Sequence, residues 1–337
     1  MTFDMGRKPV RVAVDAMGGD YAPQEIIKGA IGAAMEDGIE LILVGSEDTI
    51  QKELEKYDVS AFPIRVVNAS EAIQEGESPV AVLRHKSDAS VLVAMRLVKE
   101  GKADAVVSMG SAGAIMIGAI EILGKLEDIR RPSAGGFLCG FAPNTLLFDM
   151  GPNADCKPRD LLNFAAIGSA VAQKLLHIDN PTVALLSNGS EEEKGNLLVK
   201  KTYPLLKESH LNFIGNIEGH DVPLGKANVV ICDGFTGNIL LKFCEGLGEA
   251  VIERLRTALD KQVPEEQIET IADNLFALTH TAEQGGPIFG VDGVAVIGHG
   301  HSKAPQVTDA ISMAKMVVES NLLEEIKLEL AKIKNEG

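Results

Sequence analysis

A chain of 337 residues that is 45% apolar carries enough hydrophobic side chain for a large core, in one big α/β domain or two smaller ones. Its 34 glycines, 4% aromatics and lack of tryptophan suit tight strand-to-helix turns and argue against an all-β protein or an aromatic nucleic-acid platform. A formal charge of −16 opposes general binding to nucleic acid or anionic membrane, while leaving room for a local basic patch.

Strands are expected at 10–15, 39–45, 63–68, 104–109, 145–150, 181–187 and 227–233, where short β-branched runs end in glycine or polar residues. Helical patterns follow at 23–37, 47–57, 79–100, 112–124, 158–177, 191–208 and 235–260. Such alternation predicts an α/β fold, a mostly parallel sheet with helices on both faces. The reading is one continuous domain over 10–335 after an extension at 1–9. It includes a helical excursion near 250–282 and a long closing helix from about 304. The opening MTFDMGRKPVRVAVD has no signal-like apolar core and no apolar run reaches spanning length, so the expectation is a soluble cytoplasmic protein. Cys139, Cys156, Cys232 and Cys244 form no CxxC pair and read as buried free thiols.

Five strand ends carry glycine with small polar or charged residues: DAMGGD, SMGSAGA, DMGPNAD, SNGSEEEKGN and CDGFTGN. In open parallel sheets ligands bind beyond the carboxyl ends of strands, where helix N-termini offer free N–H groups, so these turns are expected to converge on a crevice. DAMGGD is neither GxGxxG nor a P-loop. The carboxylates of 149–161 lack a recognised metal spacing, and the two histidines of GHGHS (298–302) lack a third zinc ligand nearby. No Ser-His-Asp set or nucleophile elbow is present, so an enzyme built this way takes its nucleophile from the substrate.

Taken together, VAVDAMGGDYAP, DMGPNADCKP, NGSEEEKGN, GNIEGHD and CDGFTGN closely resemble the bacterial acyl-ACP:phosphate acyltransferases, the PlsX family of phospholipid synthesis, from about Val10 to beyond Ala310. The resemblance implies a Rossmann-like three-layer α/β/α fold related to phosphotransacetylases and isocitrate dehydrogenases. It implies a homodimer that makes acyl-phosphate from acyl carrier protein thioesters and inorganic phosphate, without metal or other cofactor, for a membrane glycerol-3-phosphate acyltransferase. Ser111-Ala112-Gly113, Gln284-Gly285-Gly286-Pro287 and GHGHS depart from the family pattern.

By this resemblance Gly189, Glu191, Lys194 and Gly195 match a G-x-E-x-x-K-G turn, with Lys194 orienting phosphate and the glutamates opening a helix. Asn238 is the second expected catalytic donor, to phosphate or to the carbonyl oxygen. Asp15, Gly18, Gly19, Gly110, Ser111, Gly113, Asn153, Asn196, Asp233, Gly234 and Thr236 are expected to shape the substrate pocket. Arg84, Lys86, Arg130, Arg131, Lys157 and Arg159 are the candidates for docking an acidic carrier protein. An apolar stripe through Ile271, Leu275 and Leu278 is the candidate for weak membrane insertion or a dimer interface. The competing readings are an acyl-CoA:phosphate transferase, a nicotinamide-dependent hydroxyacid dehydrogenase and a non-catalytic carrier-binding scaffold. The dehydrogenase reading lacks the arginine cluster that would hold a dicarboxylate.

Overall fold

The computed structural model describes residues 8–36, 38–74, 76–77, 83–259, 262–281 and 285–335. The start of the expected extension, Gln284, and part of the expected helix at 79–100 lie outside them. The chain divides into two compact units, Met1–Glu127 with Glu283–Glu324 and Asp128–Ala282 with Glu325–Gly337.

The first unit is built from β1 (Val10–Asp15), α1 (Gln24–Ala34), β2 (Ile39–Gly45), α2 (Glu47–Leu54), β3 (Ile64–Asn68), α3 (Ser90–Lys99), β4 (Ala105–Ser108) and α4 (Ala112–Gly118). The second contributes β5 (Ser133–Phe137), β6 (Leu146–Phe148), α5 (Pro158–Leu175), β7 (Thr182–Leu186), α6 (Leu197–Glu208), β8 (Asn212–Ile217), β9 (Val229–Ile231), α7 (Gly234–Leu259) and α8 (Glu265–Thr279). The chain returns to the first unit for β10 (Gly286–Phe289), β11 (Val294–Ile297) and α9 (Ala304–Glu319), and ends in α10 (Leu322–Asn335).

In the first unit the strand order is β3-β2-β1-β4-β11-β10, parallel apart from β10. Its strands are nearly continuous apolar runs because both faces are covered. Ala13, Ile42 and Val106 pack with Leu92 and Met95 of α3 and Ile115 of α4. On the other face α1 and α9 pack together, closely enough that a Cβ on Gly29 would lie 2.4 Å from the Ala304 carbonyl oxygen.

In the second unit the order is β5-β6-β9-β7-β8, parallel apart from the β5–β6 pair. Phe148 and Val229 face Gly168 of α5, whose missing Cβ would fall 2.4 Å from Val229. Leu147, Ala184 and Val230 point the other way and bury Leu241 of α7. Alternation along each strand thus assigns α5 and α7 to opposite faces, and α6 packs beside α5.

The expected closing helix is two helices. Asn321 turns into left-handed backbone (φ 55) between α9 and α10, a conformation asparagine tolerates. Four strands, β5, β8, β10 and β11, were not expected from the sequence. Glycines interrupt two of their patterns: Gly135 in β5 leaves room for the Phe148 ring, and Gly215 in β8 sits at φ +100.

Helix propensity alone makes a mid-helix Gly→Ala change stabilising by about 1 kcal/mol. The Gly29 contact reverses that sign. Gly29→Ala should lower stability by roughly 1–3 kcal/mol through overpacking, read as a lower urea midpoint, and an unchanged or raised midpoint would show that α1 and α9 can separate freely.

Candidate active site

Each unit has a topological switch point where neighbouring parallel strands send their chains to opposite faces of the sheet, the place where open α/β sheets bind ligands. In the first unit it lies at the carboxyl ends of β1 and β4, which lead to α1 and α4. Asp15 is buried there and accepts hydrogen bonds from Ser90 Oγ (2.6 Å), Ser108 Oγ (2.6 Å) and the Met17 amide (3.2 Å). Burial pushes its carboxyl above the usual range, against those hydrogen bonds. Gly18 is pressed onto the carboxylate, where a Cβ would sit 2.3 Å from Oδ2, and the Gly110 amide donates to Ser108 Oγ at 3.1 Å. Gly19 adopts φ +106, and the next amide, Asp20 N–H, donates to the Gly300 carbonyl of GHGHS at 2.8 Å. Ser111 stands at the N-cap of α4 without capping it, and Gly113 is exposed two residues on. Asp15 therefore orients two glycine turns.

In the second unit the corresponding crevice lies beyond β7 and β9, which lead to α6 and α7. It is a cleft of about 630 Å³. Ser187, Asn188, Gly195, Asn196, Asp233 and Thr236 supply its polar lining; Leu161, Leu186, Leu198, Val199, Ile239, Leu240 and Phe243 supply an apolar wall. Asn196 caps α6 by accepting from the Val199 amide (2.9 Å), and Asp233 caps α7 by accepting from the Thr236 amide (2.9 Å). Two helix N-termini therefore open at the cleft, and their partial positive charge favours an anion there. Ser187 Oγ is buried and has no hydrogen-bond partner among the described residues. Sequence motifs gave no sign of it, since a serine at a strand end becomes a candidate donor only once its surroundings are seen to be empty of partners.

The glutamates do not open α6, contrary to the sequence expectation. Glu191, Glu192 and Glu193 lie in a turn, and the helix begins at Leu197 after Gly195, at φ +101, breaks the backbone path. The turn is tied down by Asn216 Nδ2 donating to the Glu191 carbonyl (2.8 Å) and by the Gly195 amide donating to Asn188 Oδ1 (2.9 Å). Lys194 is exposed, and its stem lies across Gly189, where a Cβ would meet Lys194 Cγ at 2.7 Å and Glu191 Oε2 at 2.9 Å. Among the described residues its ammonium group has no hydrogen-bond or ion-pair partner. Glu192 pairs instead with Lys207 at 2.8 Å.

Asn153 and Asn238 belong to the other side of the α7 start. Asn238 lies about 200° around the helix from Thr236, away from the cleft stripe, and borders Gly151. Gly234 and Gly237 let α7 meet the 149–153 turn: a Cβ on Gly237 would lie 1.8 Å from the Asp149 carbonyl oxygen. Asn153 is buried and spends its amide on Pro132 O (2.8 Å) and Asp149 Oδ2 (2.6 Å). Asp149 is the organising acid of this turn, also accepting from the Gly151 and Asn153 amides, each at 3.0 Å.

The chain is similar to known proteins over nearly its whole length. A family model described as fatty acid synthesis protein matches residues 10–325. The phosphate acyltransferase of Syntrophomonas wolfei subsp. wolfei is 44% identical over 331 residues, covering 96% of this chain and 99% of that protein. The phosphate acyltransferase of Desulfitobacterium hafniense (strain DSM 10664 / DCB-2) is 44% identical over 328 residues, covering 95% and 98%. The chain belongs to the phosphate acyltransferase family. It is an acyltransferase, and its reaction class is acyl transfer to phosphate. A phosphotransacetylase from Streptococcus pyogenes shares the fold, with TM-score 0.63 and 18% identity over 92% of this chain and 94% of that one.

Several surface expectations for this family member need correction. Arg130 is not a free docking charge, because Asp160 engages its guanidinium through Nε at 3.0 Å and through Nη2. Lys86 pairs with Glu77 at 2.8 Å, and Arg159 donates to the Ile333 carbonyl at 3.3 Å. Among the described residues Arg84, Arg131 and Lys157 have no ion-pair partner. Leu278 does not extend a free apolar stripe, since it packs on Gly140. The larger exposed apolar row is on α7, at Phe235, Ile239, Phe243, Leu247 and Val251. Among the described residues no helix is long and apolar enough to cross a membrane. All four cysteines are free, Cys139 and Cys232 buried, Cys156 and Cys244 half-buried.

Burial pushes Asp149 up to about 6, although hydrogen bonds from Asn153 and Gly151 favour its carboxylate. An acid whose folded pKa is raised from an ordinary value of about 4 favours the fold below that value. That contribution is lost as pH rises through about 6. The urea midpoint of the wild type should therefore fall relative to Asp149→Asn between about pH 4 and 6 and run parallel above. A constant difference across that range would mean Asp149 titrates normally.

Proposed function

We propose that this acyltransferase moves a long-chain fatty acyl group from acyl carrier protein to inorganic phosphate, giving acyl-phosphate for phospholipid synthesis. The observation that carries this reading is the second-unit cleft, where two helix N-termini, an unpartnered Ser187 hydroxyl and an apolar wall meet.

Phosphate is anionic at neutral pH and is itself the nucleophile. One of its oxygens attacks the thioester carbonyl, a carbon–oxygen bond forms, and the carbon–sulfur bond breaks as the carbonyl re-forms. The pantetheine leaves as thiolate and needs little acid assistance. The protein's part is to hold phosphate at attack distance and to stabilise the oxyanion. Lys194, whose ammonium has no partner among the described residues, supplies charge for phosphate on the loop that borders the cleft, and Ser187 and the α6 and α7 amides supply donors. Asn238, the second expected donor, stands on the Gly151 side of α7 and is not among the residues that line this cleft, so the oxyanion falls to Ser187 and the helix amides. The turns at Gly18, Gly19, Gly110, Ser111 and Gly113 are assigned to substrate contact. Cys232 lines the cleft, but burial pushes its thiol well above the ordinary range, so it stays protonated and unreactive.

The carrier docks on Arg131 and Lys157, which have no ion pair within 4 Å among the described residues, so its KM should rise with ionic strength. The protein acts as a homodimer with weak peripheral membrane contact, for which exposed Val251, Ile271 and Phe276 are the apolar surface. Sedimentation and vesicle flotation check those two assignments.

The direct test incubates the enzyme with phosphate and acyl carrier protein charged with a C16 chain, and follows acyl-phosphate by mass. Lys194→Met and Ser187→Ala should each lower kcat by about 10²–10³-fold, the usual cost of a positioned donor to phosphate or oxyanion. Wild-type turnover in both folded variants would remove the site assignment, and absence of acyl-phosphate from the wild type would remove the function.

A further inference from the structure

We infer that the face of α7 bearing Ile239, Leu240 and Phe243 is the seat of the acyl chain and sets the chain-length preference. This rests on the proposed acyl transfer and adds to it a second subsite with its own chemistry.

Thr236, Ile239, Leu240 and Phe243 recur at i, i+3, i+4 and i+7, so they form one stripe of the helix, and all four line the cleft. Leu198 and Val199 at the start of α6 line the same cleft. Ile239 and Phe243 are large and apolar, yet 52% and 64% exposed. Exposed apolar surface of this kind, rimmed by polar residues, marks ligand grooves. From Thr236 to Phe243 the wall runs about 10 Å along the helix at 1.5 Å per residue.

The occupant follows from the polar end. Ser187, Asn196 and the first amides of α6 and α7 stand where an anion and a carbonyl oxygen find donors, beside Asp233, which accepts from Thr236, and the apolar stripe begins one helical turn from Thr236. A molecule that fills both ends has a polar reacting head and an unbranched apolar tail. A fatty thioester has that shape, and the 630 Å³ of the cleft lies within the ordinary range for small-molecule sites. The aromatic ring of Phe243 meets only the part of the chain furthest from the carbonyl. Substituting it changes discrimination between long and short chains, because each buried methylene multiplies affinity by about fourfold.

The test uses non-cleavable thioethers, S-alkyl pantetheines of C4, C8, C12 and C16, titrated calorimetrically into the full-length protein. Affinity should climb by up to about fourfold per methylene while the chain crosses the wall, then level off. Phe243→Ser and Ile239→Ser should each cut the C12-to-C4 affinity ratio by about tenfold or more, and Phe243→Leu should keep most of it. Both positions are exposed, and circular dichroism verifies the fold of each variant. Affinity independent of length, or a ratio unchanged in both serine variants, overturns the inference. Sedimentation separates the other occupant of an apolar face: dissociation of an oligomer by Phe243→Ser with the ratio intact would assign the stripe to a second copy of the chain. The assay needs no turnover. Length-dependent binding without acyl-phosphate formation would remove the proposed function and leave the groove, and the reverse result would remove the groove alone.

Discussion

The geometry of the second-unit cleft depends on one close approach. Helix α7 starts hard against the 149–153 turn, with Gly237 where any side chain would collide with the Asp149 carbonyl oxygen and Gly234 against the Gly151 and Asn153 backbone. Asp149 holds that turn by accepting the Gly151 and Asn153 amides and the Asn153 side chain. With one side of α7 fixed in this way, its opposite stripe has no freedom to rotate. Thr236, Ile239, Leu240 and Phe243 are thereby presented to the cleft. A buried acid and two glycines thus set the direction of a helix whose far side carries the apolar wall.

The same logic operates in the first unit, with different residues. Asp15 ties the ends of β1 and β4 to α3 through Ser108 and Ser90, and Gly18 lies directly on its carboxylate. In both units a carboxylate that looks like a ligand for metal or substrate is consumed in shaping backbone. A formal charge of −16 is therefore compatible with the anion site proposed above. Several acids in the motifs are spent on structure: Asp233 caps α7, Asp149 is buried and Glu192 pairs with Lys207. Favourable charge comes from oriented amides rather than from a surplus of basic side chains.

How much of this was legible in the sequence depended on how local the cause was. The seven expected strands, the family and the α/β class follow from apolar runs and motif order, which are properties of neighbouring residues. The start of α6 was misplaced because three glutamates resemble a helix N-terminus, while the deciding features were Gly195 in left-handed backbone and Asn196 as the cap. The split between α9 and α10 turned on one asparagine inside a continuous apolar period. Strand β5 was missed because its glycines answer to the Phe148 ring on β6, a partner distant in sequence. Site residues followed the same rule. Asp233 and Asn196 sit where their motifs suggested. That Asn238 faces Gly151, that Asn153 is spent inside its own turn, and that Ser187 has no partner among the described residues are three-dimensional facts.

The central claim is that the protein lends no nucleophile, only position and charge, and that phosphate does the attacking. Intact-mass measurement of the enzyme mixed with long-chain acyl carrier protein, first without phosphate and then with it, tests this directly. The expected result is unmodified protein and no thiol release until phosphate is added, then thiol and acyl-phosphate in equal amounts. A phosphate-independent burst of thiol accompanied by an acylated protein mass would contradict it.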